Sequence, residues 1–379
     1  MTSTPLSIVV TSRNDNHGGN LLHRMQLFVN GLMEQCRRHQ LNAELVLVEW
    51  NPPPDRPRLS EALSWPKEEG PCSVRVIEVS PEIHSQFKHS ERLPLFQMIA
   101  KNVGIRRARG RFILATNIDI LFSDEMMRFL VRGKLDPNRL YRVDRYDVPS
   151  NVPGELSIEQ QLEFCRNNVI RINDRNETHP PLPQVGWSLK QWRLWPVTNT
   201  TRRAVYSVIR GPKAVKYAAV TQLKTVQNRL FPDTLFPYLM FQIPVDLHTN
   251  ACGDFTMLSS ERWAAVRAYP ELEMYSMHID SLLCYMAHHS GVRELVLPTS
   301  HRVYHIEHGM GSGYTPDGAQ ALYSRLDSAG IAWLESETLS SLATKMRRQG
   351  RPMIVNDENW GLKKHKLPEK TIVEAVKVM

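Results

Sequence analysis

The sequence has few cysteines and no uninterrupted apolar run that is long enough to cross a bilayer. Its five cysteines are scattered, odd in number and never arranged as Cys-x-x-Cys, which argues against a disulfide framework and against a structural zinc site. The first residues, MTSTPLSIVV, lack the basic start and the small-residue cleavage site of a secretory signal peptide. We therefore expect a cytoplasmic protein. Its 379 residues suffice for one large domain or two smaller ones.

Acidic residues are missing from residues 178 to 232, although the whole chain carries 39 Asp and Glu against 47 Lys and Arg. The cations of this window outnumber the net charge of +8, so the rest of the chain is close to neutral. They are Lys190, Arg193, Arg202, Arg203, Arg210, Lys213, Lys216, Lys224 and Arg229. The basic character therefore belongs to one segment and needs a local explanation.

An amphipathic helix is predicted over residues 212–230 inside this basic window, and Trp187, Trp192 and Trp195 precede it. Basic charge, tryptophans and an amphipathic helix favour peripheral contact with an anionic membrane through residues 187–230. The same features could cradle a phosphate-bearing acceptor, or the helix could pack on a sheet with its lysines in solvent. No recognised motif accompanies the charge, so nucleic acid is not an expected partner.

Strand and helix patterns alternate through the first third of the chain. Short apolar runs rich in β-branched residues predict strands at residues 7–11, 43–48, 73–79 and 112–115, with a further one at 140–143. Apolar side chains at helical spacing predict a helix over residues 21–36 and another that begins at Pro94, and Ser123 is placed to cap a third. This alternation predicts an α/β fold with a mostly parallel central sheet flanked by helices.

Polar or acidic residues follow three of the predicted strands, in the segments SRND, EWN and NID. The carboxyl ends of parallel strands meet at one edge of an open α/β sheet, and ligands bind at that edge. Asp119, in the segment NID, would present a carboxylate there, and such hard oxygen ligands suit Mg²⁺ or Mn²⁺. The structural alternative is an aspartate that only caps the following turn.

These segments resemble the GT-A glycosyltransferases, particularly the family-2 type. The resemblance rests on SIVVTSRND, VLVEWN, KNVGIRRARGRFILATNID and a late YHIEHG, and it is absent between about residues 146 and 250. The acidic triplet departs from the common DxD form, because its first position is Asn117. The resemblance implies a Rossmann-like sheet, a nucleotide-sugar donor such as a UDP-sugar, a divalent metal (Mn²⁺ or Mg²⁺), and inversion by single displacement.

The resemblance also implies roles for single residues. Metal ligands would be Asp119 and His305, with His308 and Glu307 within local reach. Nucleotide-sugar contacts would come from Thr11, Arg13, Glu49, Lys101, Asn102 and Asn117. The general base that accepts the proton of the acceptor hydroxyl would be Asp280, with Asp254 as the second choice and Glu273 as the third. Structural alternatives remain for each: an exposed strand-end Glu49, an Asn102 that braces its helix, an Asp280 that caps one, and a satisfied His305.

The expected organisation has four parts. Residues 1–150 would form the nucleotide-sugar-binding half of a GT-A domain, 151–245 a basic Trp-containing insertion, 246–318 the acceptor and catalytic half, and 319–379 a helical C-terminal extension. Helices are predicted over residues 320–329 and 339–348, and the segment NDENWG is interpreted as a turn that pins the C-terminus onto the main domain. A loop with Gly309, Gly311 and Gly313 could close over the diphosphate.

The predicted function is transfer of a sugar to a hydroxyl of a glycan or lipid-linked acceptor, as in polysaccharide biosynthesis. One alternative is a sugar nucleotidyltransferase on a similar fold. It would need a glycine-rich phosphate loop after the first strand, and SRNDNHGGN is a poor version of one. The other alternative is a non-catalytic protein that binds membranes or polyanions through the basic segment, because a fold alone does not fix a function.

Overall fold

The computed structural model describes residues 6–67, 70–181, 246–308 and 316–376. The three tryptophans and the helix predicted over residues 212–230 lie outside the described residues, and so does the glycine-containing loop at 309–313. The four-part division of the chain therefore stays a prediction.

Strands and helices alternate as the sequence predicts. The strands are β1 (Leu6–Ser12), β2 (Ala43–Trp50), β3 (Cys72–Val79), β4 (Phe112–Thr116), β5 (Ile120–Phe122), β6 (Arg139–Arg142), β7 (Arg145–Val148), β8 (Arg171–Asn173), β9 (Thr178–His179), β10 (Phe255–Ser259), β11 (Arg293–Val296), β12 (Val303–Ile306) and β13 (Glu369–Val373). The helices are α1 (Leu21–His39), α2 (Leu59–Ala62), α3 (Pro81–His84), α4 (Gln97–Arg107), α5 (Asp124–Val131), α6 (Ile158–Asn167), α7 (Ser260–Ala265), α8 (Ile279–His289), α9 (Pro316–Ser328) and α10 (Ser336–Gln349).

The larger sheet has the strand order β11-β6-β10-β4-β1-β2-β3-β13. Strands β4, β1, β2 and β3 run parallel to one another, and β6 and β11 form another parallel pair. Strand β10 is antiparallel to both of its neighbours, and β13 is antiparallel to β3. Helices pack on both faces, and each face has its own hydrophobic core. The predicted α/β fold with a mostly parallel central sheet is confirmed.

A second sheet, which the sequence did not predict, has the order β5-β12-β7-β8-β9. The chain leaves the larger sheet three times to build it, between β4 and β5, between β6 and β7, and between β11 and β12. Asn117, Ile118 and Asp119 form the first of these crossings. The alternating pattern of HRVYHIEH predicts a strand over residues 301–308, which contains β12. The other strands of this sheet have only two to four residues each, so their apolar pattern is too short to be recognised in the sequence.

Helix α4 packs very closely on the larger sheet. A Cβ atom at Gly104 would lie 2.5 Å from Cγ1 of Val9, so only glycine permits this approach. The helix begins at Gln97, and the prediction that Pro94 occupies its first turn is wrong. The carbonyl of Pro94 instead accepts a hydrogen bond from Asn51 Nδ2 (3.1 Å), which holds the segment before the helix outside the helical ladder.

The C-terminal segment folds back onto α4. Trp360 is buried, and the guanidinium of Arg106 lies 4.3 Å from the centre of its ring. Arg107 donates hydrogen bonds to the carbonyls of Gly361 and Leu362. The interpretation of NDENWG as a turn that pins the C-terminus is therefore confirmed, and β13 extends the larger sheet beyond what the sequence predicted.

The cysteines and the helix lengths bear on two features considered in the sequence, disulfide bonds and membrane-spanning segments. All five cysteines are described, and each is buried and outside any disulfide bond. Among the described residues, none of the helices combines the length and the apolar character that crossing a membrane requires.

Candidate active site

A cavity of about 950 Å³ opens where β1 and β4 end. Of the residues predicted from the sequence, it is lined by Thr11, Arg13, Asn117, Asp119, Asp254, Asp280, His305 and His308. Glu49, Lys101 and Asn102 are not among the lining residues. The cavity therefore unites the two halves of the predicted site at the carboxyl edge of the sheet, where open α/β proteins bind ligands.

Asp119, His305 and His308 meet at this cavity. Antiparallel pairing of β12 with β5 sets His305 against Ile120, and the backbone N–H of Ile306 donates to the Asp119 carbonyl (3.0 Å). Oδ2 of Asp119 lies 3.4 Å from Nε2 of His308 and 3.8 Å from Nε2 of His305. The other carboxylate oxygen, Oδ1, is buried without a hydrogen-bond partner in the described part of the chain.

This donor set fits a divalent cation. The three side chains each offer one ligand atom, and these atoms lie within 4.8 Å of one another. Carboxylate oxygen and imidazole nitrogen are ligands for first-row divalent metals, and a buried carboxylate oxygen without a partner calls for a cation or a donor. The buried Asp/His cluster could therefore hold a metal ion.

The pKa values of the two histidines shift in opposite directions. Burial lowers the pKa of His308 to about 4, although the Asp119 carboxylate opposes that shift. Burial and the charge of Arg145 also act against protonation of His305, but Asp119, Asp147 and Asp254 outweigh them and raise its pKa. His308 is thus neutral near pH 7, as a metal ligand must be.

Asp147 supports His305 from behind. It is fully buried, and its carboxylate lies 3.3 Å from Nδ1 of His305. Arg145 and Arg171 also bind it, with closest distances of 2.8 Å and 2.6 Å. Burial alone would raise the pKa of Asp147, but Arg145, His305 and Arg171 together hold that pKa well below its ordinary value.

Asp147, His305 and Glu307 form a second group with metal-ligand spacing. Arg145 and Arg171 already neutralise the Asp147 carboxylate, and Arg171 pairs with Glu307 as well. We assign this group to an ion-pair network that orients His305, in the manner of a carboxylate behind a metal-binding histidine.

Asp254 lies in a tightly paired position beside the end of β4. Its Oδ1 accepts a hydrogen bond from Asn117 (2.5 Å), and its Oδ2 pairs with Arg145 (2.6 Å). Burial favours its neutral form, but the charge of Arg145 outweighs burial and lowers the pKa of Asp254. Both carboxylate oxygens are committed to partners, so this residue is poorly suited to accept a proton.

Lys101 holds Asn117 from below. Its fully buried Nζ donates to Oδ1 of Asn117 and to the carbonyl of Gly253, both at 2.8 Å. Burial lowers the pKa of Lys101 to about 8, although the charge of Asp254 opposes this. Lys101 therefore does not line the cavity but holds Asn117, which does.

Asp280 offers the more accessible carboxylate. It lies in the first turn of α8, is half-buried and lines the cavity. Its Oδ1 accepts the backbone N–H of Ser281 (2.8 Å). A Cβ atom at Gly253 would lie 2.9 Å from its Oδ2, so α8 is packed against the turn that precedes β10. Glu273, by contrast, accepts the backbone N–H of Lys88 and does not line the cavity.

Asn102 and Glu49 have other positions. Asn102 is buried, exchanges hydrogen bonds with the backbone of Tyr269 and donates to Glu271, so it braces the segment after α7. Glu49 is 1% exposed, and its Oε1 accepts the backbone N–H of Leu59 (3.0 Å) at the start of α2. Burial raises the pKa of Glu49 to about 7.

Thr11 and Arg13 line the cavity at the end of β1. The Thr11 hydroxyl donates to the carbonyl of Val48 (2.9 Å). Nε of Arg13 is 3.5 Å from the Asp15 carboxylate, and burial lowers the pKa of the guanidinium. Arg13 thus presents a partly desolvated cation to the cavity that Asn117 and Asp119 also line.

Sequence reasoning missed Arg24, Arg145 and Asp147. Arg24 lies within the apolar stripe of α1, four residues before Phe28, and a single arginine on a buried stripe is a signal that could have been used. Arg145 and Asp147 alternate along β7 and so point to the same side. An Arg-x-Asp pair in a short strand is a weaker signal, because exposed strands carry the same pattern.

No family model and no curated protein matches this chain. Among solved structures, it is similar to a crystal structure of S. aureus TarS with a TM-score of 0.37 and 12% identity, over 80% of this chain and 37% of that one. It is also similar to S. aureus TarS 1-349 with a TM-score of 0.36 and 10% identity, over 91% of this chain and 71% of that one. The chain thus spans little more than a third of the first TarS chain. Structural similarity at these TM-scores does not indicate a shared activity.

Proposed function

We propose that this protein is a glycosyltransferase of the GT-A type. It would transfer a sugar from a nucleotide-sugar donor, such as a UDP-sugar, to a hydroxyl group of a glycan or lipid-linked acceptor. The observation that carries the proposal is the meeting of Asp119, His305 and His308 in a cavity of about 950 Å³ at the edge where parallel strands end. The resemblance of the strand-end segments to family-2 enzymes supports it.

Asp119, His305 and His308 would hold Mn²⁺ or Mg²⁺. Such an ion supplies positive charge opposite the diphosphate, which is the leaving group of the reaction. Arg13 can add a guanidinium to the diphosphate or to the base, since its fork of donors matches phosphate oxygens. Asn117, held by Lys101 and Asp254, offers a fixed amide beside them.

Asp280 is the proposed general base. The acceptor oxygen would attack the anomeric carbon and form the new glycosidic bond, while Asp280 takes the hydroxyl proton. The bond between the anomeric carbon and the diphosphate would break, and the nucleoside diphosphate would leave with the electron pair. Asp280 is preferred to Asp254 because Arg145 and Asn117 occupy both oxygens of Asp254.

The test is to incubate the protein with a panel of nucleotide sugars and Mn²⁺ and to follow release of nucleoside diphosphate. The proposal is supported if the wild type releases nucleoside diphosphate, Asp119→Ala does not, and Asp136→Asn does. Asp136 serves as the control because it is a half-exposed surface residue that pairs with Arg139. Pyrophosphate-dependent exchange would indicate a sugar nucleotidyltransferase. If no nucleotide sugar binds at all, the proposal fails and the non-catalytic alternative is favoured.

A further inference from the structure

Arg24 is a buried cation in an electrostatically unfavourable place. It is the fourth residue of α1, whose first turn holds no acidic residue, and its side chain is 1% exposed. The positive end of a helix dipole disfavours cations in the first turn. The stability of α1 therefore does not explain why an arginine occupies this position. The explanation must come from the residues that Arg24 contacts.

Those partners are Asp119 and the loop between β1 and α1. Nη1 of Arg24 lies 2.7 Å from Oδ2 of Asp119. Its Nη2 donates to the carbonyl of His17 (2.5 Å) and, at 3.3 Å, to the carbonyl of Gly19. One guanidinium thus joins the candidate metal-binding carboxylate to the loop between β1 and α1.

The same loop touches the candidate ligand His308. A Cβ atom at Gly18 would lie 2.7 Å from Nδ1 of His308, and the rings of His17 and His308 are 5.9 Å apart. Arg24 therefore reaches two of the three candidate ligands, Asp119 directly and His308 through the loop.

The charge around the site limits what an isolated metal ion would gain. Three buried aspartates at or beside the cavity already have an arginine partner: Arg24 pairs with Asp119, and Arg145 pairs with both Asp147 and Asp254. A divalent cation must compete with Arg24 for Oδ2 of Asp119 or bind through Oδ1 alone beside a positive charge. Like charges at such distances repel strongly in a buried site.

We propose that Arg24 is a positioning residue that suppresses binding of the free metal ion, so that Asp119 takes up the metal together with a diphosphate. The diphosphate brings the negative charge that outweighs Arg24, and Arg24 itself lines the cavity that would receive it. The identity of this anion rests on the proposed function, whereas the suppression of free-metal binding rests on the contacts of Arg24.

The experiment measures Mn²⁺ affinity by electron paramagnetic resonance of the unbound ion, with and without UDP. It compares the wild type with Arg24→Gln, with Arg24→Lys, and with Arg128→Gln as a control that removes a half-exposed arginine paired with Glu125. Without UDP, Arg24→Gln should bind Mn²⁺ about tenfold more tightly or better, while Arg24→Lys and Arg128→Gln should stay within about threefold of the wild type. UDP should tighten Mn²⁺ binding to the wild type about tenfold or more and to Arg24→Gln by less.

Equal or weaker Mn²⁺ binding by Arg24→Gln overturns this inference and leaves the proposed function standing. No Mn²⁺ binding by any form, even with UDP, overturns both the inference and the metal part of the proposed function. If Arg24→Gln does not fold, the effect of UDP on the Mn²⁺ affinity of the wild type and of Arg24→Lys tests the inference. In that case an absence of UDP coupling in the wild type overturns the inference, and strong coupling in both the wild type and Arg24→Lys supports it.

Discussion

Nδ1 of His305 lies 3.3 Å from Oδ1 of Asp147, and parallel pairing of β12 with β7 places these two residues side by side. The contact turns the other ring nitrogen, Nε2, toward Asp119. Arg145 and Arg171 fix Asp147 in turn. The orientation of one candidate metal ligand thus depends on an aspartate that does not line the cavity.

Asp147→Asn should therefore weaken both the fold and the metal site. It leaves the buried charges of Arg145 and Arg171 without their shared partner, which should lower the free energy of unfolding by about 3–5 kcal/mol. Loss of the carboxylate behind His305 should lower Mn²⁺ affinity by about 10- to 100-fold. Urea denaturation and Mn²⁺ titration measure the two effects.

Glu125→Gln is the matched control for this change. It removes a half-exposed carboxylate that pairs with Arg128, so the free energy of unfolding should change by no more than about 1 kcal/mol. Equal effects of Asp147→Asn and Glu125→Gln would contradict the role assigned to Asp147.

Gly18→Ala should disturb His308. Gly18 and Gly19 both have positive φ angles, +71° and +76°, so alanine at either position carries a similar backbone strain of about 1–2 kcal/mol. Only at Gly18 does the added methyl group meet His308, at 2.7 Å, while nothing lies within 4 Å at Gly19. Mn²⁺ affinity in the presence of UDP should fall in Gly18→Ala and remain near the wild-type value in Gly19→Ala. A similar loss in both variants would mean that the loop conformation, and not contact with His308, is responsible.

Substitution by asparagine should have different effects on activity and stability at the two cavity aspartates, Asp280 and Asp254. Asp280→Asn should lower kcat by about 100-fold or more, because the general base is lost, while the free energy of unfolding changes little. Asp254→Asn should lower the free energy of unfolding by about 3–5 kcal/mol, since it leaves Arg145 with one buried partner fewer. Steady-state kinetics and urea denaturation of both variants separate the roles, and unchanged kcat in Asp280→Asn would remove it as the base.

Glu49 should make stability depend on pH. Its pKa is about 7 in the folded protein, against an ordinary value of 4.5, chiefly because it is buried. Between these two pH values the folded state binds more protons than the unfolded state, so this contribution to stability is complete below pH 4.5 and is lost as pH rises through 7. Glu49→Gln should thus be more stable than the wild type at pH 8 by up to about 3 kcal/mol, with a difference that shrinks toward pH 4.5. Denaturation at pH 5 and pH 8 checks this, and a difference that is independent of pH would contradict it.

The positions of the strand-end residues follow from the sequence. Thr11 and Asn117 follow apolar runs whose alternation with helices identifies parallel strands, and the shared edge of such strands follows from geometry. Asp119 lies at the same edge and was predicted for the same reason.

The rest depends on pairings between distant segments. Nothing local indicates that β7 lies beside β12, so the contact of Asp147 with His305 could not be predicted. Arg24 stands in a helix with a clear apolar stripe, but its partner Asp119 belongs to a crossing between two sheets, one of which was not predicted. Asn102, a motif residue expected at the ligand, is buried against Tyr269, which agrees with the alternative that it braces the structure.

Anomalous diffraction at the manganese edge, from crystals grown with Mn²⁺ and UDP, tests the central claim most directly. We predict one strong anomalous peak in contact with Asp119, His305 and His308, with the diphosphate of UDP bound to the same ion. A peak at another group of side chains, or UDP bound in the cavity without any anomalous peak at Asp119, would contradict the account.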